Sequence, residues 1–148
     1  MNAIITMEVS ILLNISPSEV WKSLTDKTLV KKYFFGTEVT SSWEIGKPIK
    51  FTGEWENTPY EDKGTILELE VNKKLTYNYW SSFSGTEDCS ENYARITYLL
   101  SENQLGQTTL TIIQDGFKDE TKKNHSINNW NTILQNLKKL LEEGIASY

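Results

Sequence analysis

The hydrophobic period of this sequence changes along the chain, and this change constrains the fold more than any other feature. Between residues 5 and 13, apolar and polar side chains alternate, as in a half-buried strand. Alternation returns between residues 37 and 114, in short runs separated by turns rich in Gly, Asn and Pro. These runs predict an antiparallel meander of six strands, and the break at residues 57–59 separates two of them.

Two short helices are predicted directly after the first strand. Ser16 is a favourable N-cap, Pro17 suits the first turn, and Glu19 completes the pattern of a capping box. Asp26 marks the start of a second helix, and Gly36 marks its end.

The C-terminal part of the chain has the period of an amphipathic helix. The prediction begins at residue 118 or later and runs to about residue 143, where Gly144 ends it. At 1.5 Å per residue, such a helix is about 37 Å long and crosses a whole domain. We therefore predict an α+β fold, in which a curved antiparallel sheet wraps around a long C-terminal helix. The apolar stripe of this helix consists of Ile127, Trp130, Leu134, Leu137 and Leu141.

The composition excludes several functional classes. A chain of 148 residues is the size of one domain, here residues 1–148, and its net charge of −5 disfavours a nucleic-acid partner. Cys89 and His125 are the only residues of their types, which excludes a disulfide framework and zinc sites built on Cys or His clusters. The sequence contains neither a signal-peptide pattern nor an apolar run of membrane-spanning length. We expect a cytoplasmic, soluble protein without a cofactor.

Short motifs recognisable in this sequence occupy residues 15–21, 63–70, 74–77, 108–111 and 129–138. They resemble the SRPBCC superfamily, which has the helix-grip fold of START domains and birch-pollen-allergen-like proteins. Within it, the sequence is similar to the family named after the C-terminal domain of the heat-shock-protein-90 ATPase activator. The likeness covers nearly the whole chain, and its motifs are signatures of fold and not of catalysis. Asn129 replaces a glycine that is usual in the helix motif.

The resemblance implies a mostly apolar cavity between the sheet and the long helix. Composition alone leaves two interpretations of the five Trp, seven Tyr and five Phe residues, a dense core or the lining of a hollow. The resemblance favours the hollow. The implied lining residues are Phe51, Trp55, Leu69, Tyr77, Tyr79, Trp130, Leu134 and Leu137, with Phe34, Phe35 and Phe83 at the mouth.

Two further side chains have alternative interpretations. Arg95 anchors a ligand carboxylate or phosphate if it points into the cavity with Tyr93 and Thr97, and is otherwise a surface cation. Trp80 has the opposite parity to Tyr77 and Tyr79, which predicts an aromatic patch on the outer sheet face and a contact in a homodimer. We expect His125 at the surface and Cys89 as a free thiol in a loop.

Three functions remain open at this stage. The first is the binding of a hydrophobic small molecule in the cavity, without catalysis. The second is a protein-interaction role like that of the chaperone activator, in which a surface contacts the chaperone. The third is a cavity enzyme similar to a polyketide cyclase, since such enzymes carry no short catalytic motif.

Overall fold

The computed structural model describes residues 5–145, which form one curved antiparallel sheet, two short helices and one long helix. A single 3-10 turn, Ser90–Asn92, lies in the loop before the sixth strand. The α+β fold predicted from the sequence is confirmed. The elements are β1 (Ile5–Leu13), α1 (Pro17–Thr25), α2 (Lys27–Tyr33), β2 (Glu38–Ser41), β3 (Pro48–Trp55), β4 (Thr58–Glu70), β5 (Lys74–Tyr79), β6 (Ala94–Glu102), β7 (Thr108–Phe117) and α3 (Glu120–Glu143).

The seven strands have the order β1-β7-β6-β5-β4-β3-β2. Strands β2 to β7 form a continuous meander, and β1 returns to pair with β7, with Ile11 opposite Leu110. The long helix α3 packs mainly against β1 and also contacts α2 and β7. The buried residues Trp130, Ile133, Leu134 and Leu137 form its inner face. The core therefore lies between α3, the two short helices and one face of the sheet.

The helix ends show how local chemistry sets these boundaries. The Asp26 carboxylate accepts hydrogen bonds from the backbone N–H groups of Thr28 and Leu29, at 2.8 and 3.1 Å. Gly144 ends α3 with a φ of 72°, a left-handed conformation that glycine adopts without steric cost. At α1 the predicted capping box is not formed. The hydroxyl of Ser16 lies 3.2 Å from that of Ser18 and caps no backbone N–H.

One strand begins earlier than predicted. Glu56 and Asn57 both have left-handed conformations, with φ of 50° and 65°, which is the pattern of a two-residue type I′ hairpin turn. The strand β4 therefore starts at Thr58 and includes Pro59, where the sequence pattern predicted a break before residue 63. Pro59 is tolerated because it lies next to the turn, near the end of the β3–β4 pairing.

Candidate functional site

Five aromatic rings, four from different elements and one from the residue that follows α2, form a closed chain of contacts between the sheet and α3. Phe34 follows α2, Phe51 lies on β3, Tyr77 on β5, Tyr98 on β6 and Trp130 on α3. The centroids of neighbouring rings are 5.6–5.9 Å apart around this chain. Such stacked and edge-to-face pairs add about 0.5–1.5 kcal/mol each to the effect of area burial. We call these five side chains the aromatic cluster.

The polar atoms of the aromatic cluster are paired inside the protein. The hydroxyl oxygens of Tyr77 and Tyr98 are 2.7 Å apart and form a buried hydrogen bond. The indole N–H of Trp130 donates to the side-chain oxygen of Gln114 on β7 at 2.8 Å. Within residues 5–145, every buried side-chain nitrogen and oxygen has a hydrogen-bond partner. The aromatic cluster therefore presents no unpaired polar atom to the interior.

Burial determines the ionisation of these hydroxyl groups. Desolvation raises the pKa of Tyr77 and of Tyr98, because the phenolate form cannot be hydrated inside the core. Burial likewise raises the pKa of Tyr33, whose hydroxyl donates to the backbone oxygen of Ser23 at 2.8 Å. These hydroxyls are neutral hydrogen-bonding groups at physiological pH and not bases.

Two small cavities between the sheet and the helices share part of their walls, including Phe34. Each has a volume of about 10 Å³, close to the least space that one water molecule needs. Both are bordered by Leu24, Tyr33, Phe34 and Tyr98. Pockets for drug-sized ligands measure about 300–1,000 Å³. The hollow that the resemblance implies is therefore nearly filled by the protein's own rings, and Phe34 lines both of the small spaces that remain.

Only some of the lining residues predicted from the sequence border the two cavities. Tyr79 contacts Phe51, with ring centroids 5.9 Å apart, and Leu69 packs half-buried against the core, but neither borders a cavity. The predicted residues that do border a cavity are Phe34, Phe51, Tyr77, Trp130, Leu134 and Leu137.

Four predicted residues lie elsewhere. Trp55 has the parity of Phe51, but it is the last residue of β3 at the hairpin tip and is 60% exposed. Phe35, which is 46% exposed, lies in a left-handed turn with φ of 54°, and its ring meets the Phe34 ring edge to face with centroids 6.3 Å apart, without bordering either cavity. Phe83 is exposed in the loop after β5, where its ring contacts Tyr60 and borders neither cavity.

Arg95 is the fourth, and the structure decides between its two interpretations. The buried residues of β6 are Ile96, Tyr98 and Leu100, so the opposite parity, which includes Arg95, faces outward. The side chain of Arg95 is exposed. Its placement as a ligand anchor in the cavity is wrong, and it is a surface cation.

Trp80 also differs from its prediction as an exposed aromatic. Its indole N–H donates to the hydroxyl of Thr86 at 3.2 Å, and the Lys63 ammonium lies 5.9 Å from the ring centroid. The ring is half-buried beneath the loop that follows β5. Its ring is therefore not the freely exposed aromatic that the parity predicted, and a contact of Trp80 in a homodimer stays a prediction.

The cavity-lining residues missed by sequence reasoning come from many elements, among them α1, α2, β6 and β7. Tyr98 shares a face with Ile96 and Leu100, a pattern that the sequence displays. Tyr33 lies three residues after Val30 on the inner side of α2. Periodicity could have identified both, but not that these residues border the same space.

A carboxylate beside the aromatic cluster was also missed. Asp62 on β4 is only 8% exposed and lies opposite Phe51 in the strand pairing. One carboxylate oxygen accepts the hydroxyl hydrogen of Tyr79, and the other accepts the backbone N–H of Ser82 at 3.2 Å. Burial and then the Asp62 charge raise the pKa of Tyr79. The hydrophobic pattern could not identify Asp62, because a polar residue at an inward position looks in the sequence like a residue on the solvent face.

Other candidate chemical groups are isolated. His125 is exposed on α3, as predicted, and the sulfur of Cys89 accepts a hydrogen bond from the side-chain amide of Asn92 at 3.3 Å. In the part of the chain that the structure describes, no three His, Cys, Asp or Glu side chains are arranged to hold a metal ion. No helix within residues 5–145 is both long and apolar enough to cross a membrane.

The sequence was compared with the profiles of known protein families and with curated proteins. The sequence profile described as "Activator of Hsp90 ATPase homolog 1-like protein" matches residues 14–142. No protein in the search of curated proteins matches the chain.

Solved structures resemble the whole domain. ChR145 from Cytophaga hutchinsonii is 37% identical with a TM-score of 0.84, and the match covers 97% of this chain and 98% of that one. The Aha1 dimer from Colwellia psychrerythraea is 19% identical with a TM-score of 0.75, covering 95% and 98% of the two chains. CalU16 from Micromonospora echinospora is 19% identical with a TM-score of 0.74, covering 96% of this chain and 76% of that one. The last two likenesses establish the fold alone.

Proposed function

The chain belongs to the family of Activator of Hsp90 ATPase homolog 1-like proteins, and we propose that it binds a flat hydrophobic small molecule between its sheet and its long helix. The observation that carries this proposal is that Phe34, a half-buried ring, lines both cavities and forms part of the wall that they share. When the Phe34 ring leaves the interior, the two cavities and the volume of the ring become one continuous space.

The surroundings of Phe34 favour such a movement. Phe34 follows α2, a helix of only seven residues, and precedes Phe35 and Gly36, which both have left-handed conformations. Its ring is half-buried, and it contacts Phe51 and Trp130 through ring surfaces without a hydrogen bond from its side chain. A ligand ring can replace these contacts with equivalent ones. The chemistry of the walls favours an aromatic or other flat apolar ligand with few hydrogen-bonding groups.

Replacing Phe34 with alanine tests the proposal. We expect Phe34→Ala to lower the free energy of unfolding by about 2–4 kcal/mol, near the lower end of the cost for buried phenylalanines because the ring is half-buried. We also expect benzene and naphthalene to restore part of this loss, because apolar cavities of about 150 Å³ bind benzene. At a hundred times its dissociation constant, a ligand adds about 2.7 kcal/mol. The measurement is urea unfolding with and without each ligand.

Phe35→Ala is the matched control, because Phe35 is adjacent and exposed and borders neither cavity. It should leave the ligand response of the wild-type protein unchanged. The proposal also requires that the wild-type protein bind naphthalene, more weakly or more slowly than Phe34→Ala. If ligands stabilise only Phe34→Ala, the cavity is a product of the substitution and the proposal is wrong.

A second function, contact with an Hsp90-type chaperone, is favoured by exposed aromatic residues around Tyr60. Phe83 contacts the Tyr60 ring, with centroids 5.6 Å apart, and Tyr60 pairs with Gly53, two residues before Trp55. The Tyr60 hydroxyl bonds that of Thr37 at 2.5 Å, close to Phe35. Exposed aromatic groups are common anchors of protein interfaces. Retention of the chaperone at micromolar concentration by the wild-type protein, and its loss in Trp55→Ala, would support this function, whereas absence of retention would exclude it.

A further inference from the structure

We propose that Asp62 is the recognition point for a protonated amine, so that the ligand of the cavity is an apolar molecule with a cationic amino group. This inference rests on the proposed binding function and specifies the chemical class of its ligand.

The first observation is that the buried Asp62 side chain has no basic partner among the ion pairs of the described residues. Asp62 is 8% exposed. Aspartates this deeply buried are rare unless they are paired. Its two hydrogen-bond donors, the Tyr79 hydroxyl and the Ser82 N–H, are both formally neutral. The carboxylate therefore lacks a compensating positive charge.

The second observation is the remaining hydrogen-bonding capacity of the carboxylate. An ionised carboxylate has about four acceptor positions, and Tyr79 and Ser82 occupy two of them. An ammonium group donates up to three hydrogen bonds and brings the missing charge. A neutral hydroxyl supplies a donor without the charge, and an anionic group is repelled.

The third observation is the continuity with the aromatic cluster. Asp62 is the direct antiparallel partner of Phe51, so their side chains emerge on the same face of the sheet. Phe51 contacts Phe34, the ring whose displacement opens the interior, and also contacts Tyr79. A ligand ring in the space of Phe34 would thus lie one side chain away from Asp62. The rings of Phe51 and Tyr79 can add cation–π attraction to an ammonium group held there.

A set of three naphthalene derivatives tests the inference by calorimetry at pH 7. The probes are 2-naphthylmethylammonium, 2-naphthalenemethanol and 2-naphthoate, which share the ring and differ in the charge of the substituent. We expect the ammonium probe to bind at least tenfold more tightly than the alcohol. We expect the naphthoate to bind at least tenfold more weakly than the alcohol. Asp62→Asn should bring the ammonium probe to within threefold of the alcohol and leave affinity for the alcohol within threefold of wild type.

Glu61→Gln is the matched control, because it removes the same charge from the adjacent position of the same strand. Glu61 is exposed, and its carboxylate lies 3.4 Å from the Lys50 ammonium. Affinity for the ammonium probe should persist in this variant. A loss equal to that of Asp62→Asn would show that net charge alone attracts the amine, and would overturn the inference.

A measurement on the wild-type protein covers the case in which Asp62→Asn does not fold. The amide resonance of Ser82, whose N–H donates to Asp62, should shift with the ammonium probe and not with the alcohol. If no probe binds to the wild-type protein, the proposed binding function is wrong. If the probes bind equally, or if the Ser82 resonance is unaffected by the ammonium probe, Asp62 only ties the loop to β4, and the inference fails while the binding function stands.

Discussion

Replacing Gly64 by alanine is expected to lower the free energy of unfolding by about 3 kcal/mol or more, at the upper end of the range for overpacked positions. A Cβ atom on Gly64 would overlap the backbone carbonyl of Asn78 on β5. The strands are fixed there by reciprocal backbone hydrogen bonds between Lys63 and Trp80, at 3.0 and 2.9 Å. The side chain of Asn78 also accepts the backbone N–H of Thr65 at 2.7 Å. Because the overlapping atoms belong to the backbone, β4 and β5 must separate to accommodate the methyl group.

Gly53→Ala is the control for this prediction. A Cβ on Gly53 would meet the hydroxyl end of the Tyr60 side chain at 2.7 Å, and a side chain can move where a backbone cannot. Both substitutions reduce the freedom of the unfolded chain equally, so that contribution cancels in the comparison. We expect Gly53→Ala to cost about 1 kcal/mol, as measured by urea unfolding with unchanged m-values. Equal costs for the two variants would mean that β4 and β5 do not approach so closely at Gly64.

The sequence was sufficient to predict the elements because each is specified locally. The alternation in β1, the N-cap at Asp26 and the glycine after α3 act within a few residues, and the structure has them where the pattern placed them. The start of β4 was missed because a two-residue turn at Glu56 and Asn57 depends on left-handed backbone conformations. These are less common outside glycine, and residue type alone did not indicate them.

The interior could be predicted only in part, because it depends on contacts between distant elements. Parity correctly places Trp55 on the face of Phe51, yet the hairpin extends beyond the covered part of the sheet and leaves this ring exposed. On β6, the side chains that share the parity of Arg95 and those that share the parity of Ile96 both include residues that could be buried. The packing of the Ile96 face against the core left Arg95 on the outer face. Whether the rings enclose a hollow or fill it depends on how the five rings of the aromatic cluster pack together. Neither period nor composition contains that information.

Raising the pH above about 10 is expected to destabilise the protein steeply. Tyr33, Tyr77 and Tyr98 are buried, and burial raises the pKa of each above the value of an unfolded tyrosine. Between the unfolded and the folded pKa, the unfolded chain releases protons that the native state retains, so stability falls as the pH rises. Each tyrosine contributes about 1.4 kcal/mol per pH unit in this window, which amounts to about 4 kcal/mol by pH 11 for the three together. Their contribution is fully present below pH 10.

The measurement is urea unfolding followed by tryptophan fluorescence at pH 8, 9, 10 and 11. Rapid mixing to pH 11 with detection of tyrosinate absorbance gives a second readout. Exposed tyrosines should ionise within the mixing time. The three buried tyrosines should ionise only with the slower loss of native fluorescence. Ionisation of all tyrosines before unfolding would mean that water reaches the hydroxyls in the folded state.

The pair of hydroxyls in the aromatic cluster allows the origin of this effect to be assigned. Tyr77→Phe and Tyr98→Phe each leave the other hydroxyl without its partner at 2.7 Å, and each should cost about 1–3 kcal/mol at pH 7. The double variant removes both groups, so its cost should be smaller than the sum of the single costs. It also removes two of the buried ionisable hydroxyls, so the loss of stability between pH 9 and 11 should shrink by about 2.7 kcal/mol. An unchanged loss would place the alkaline sensitivity in other residues, and would contradict a dry interior around Tyr77 and Tyr98.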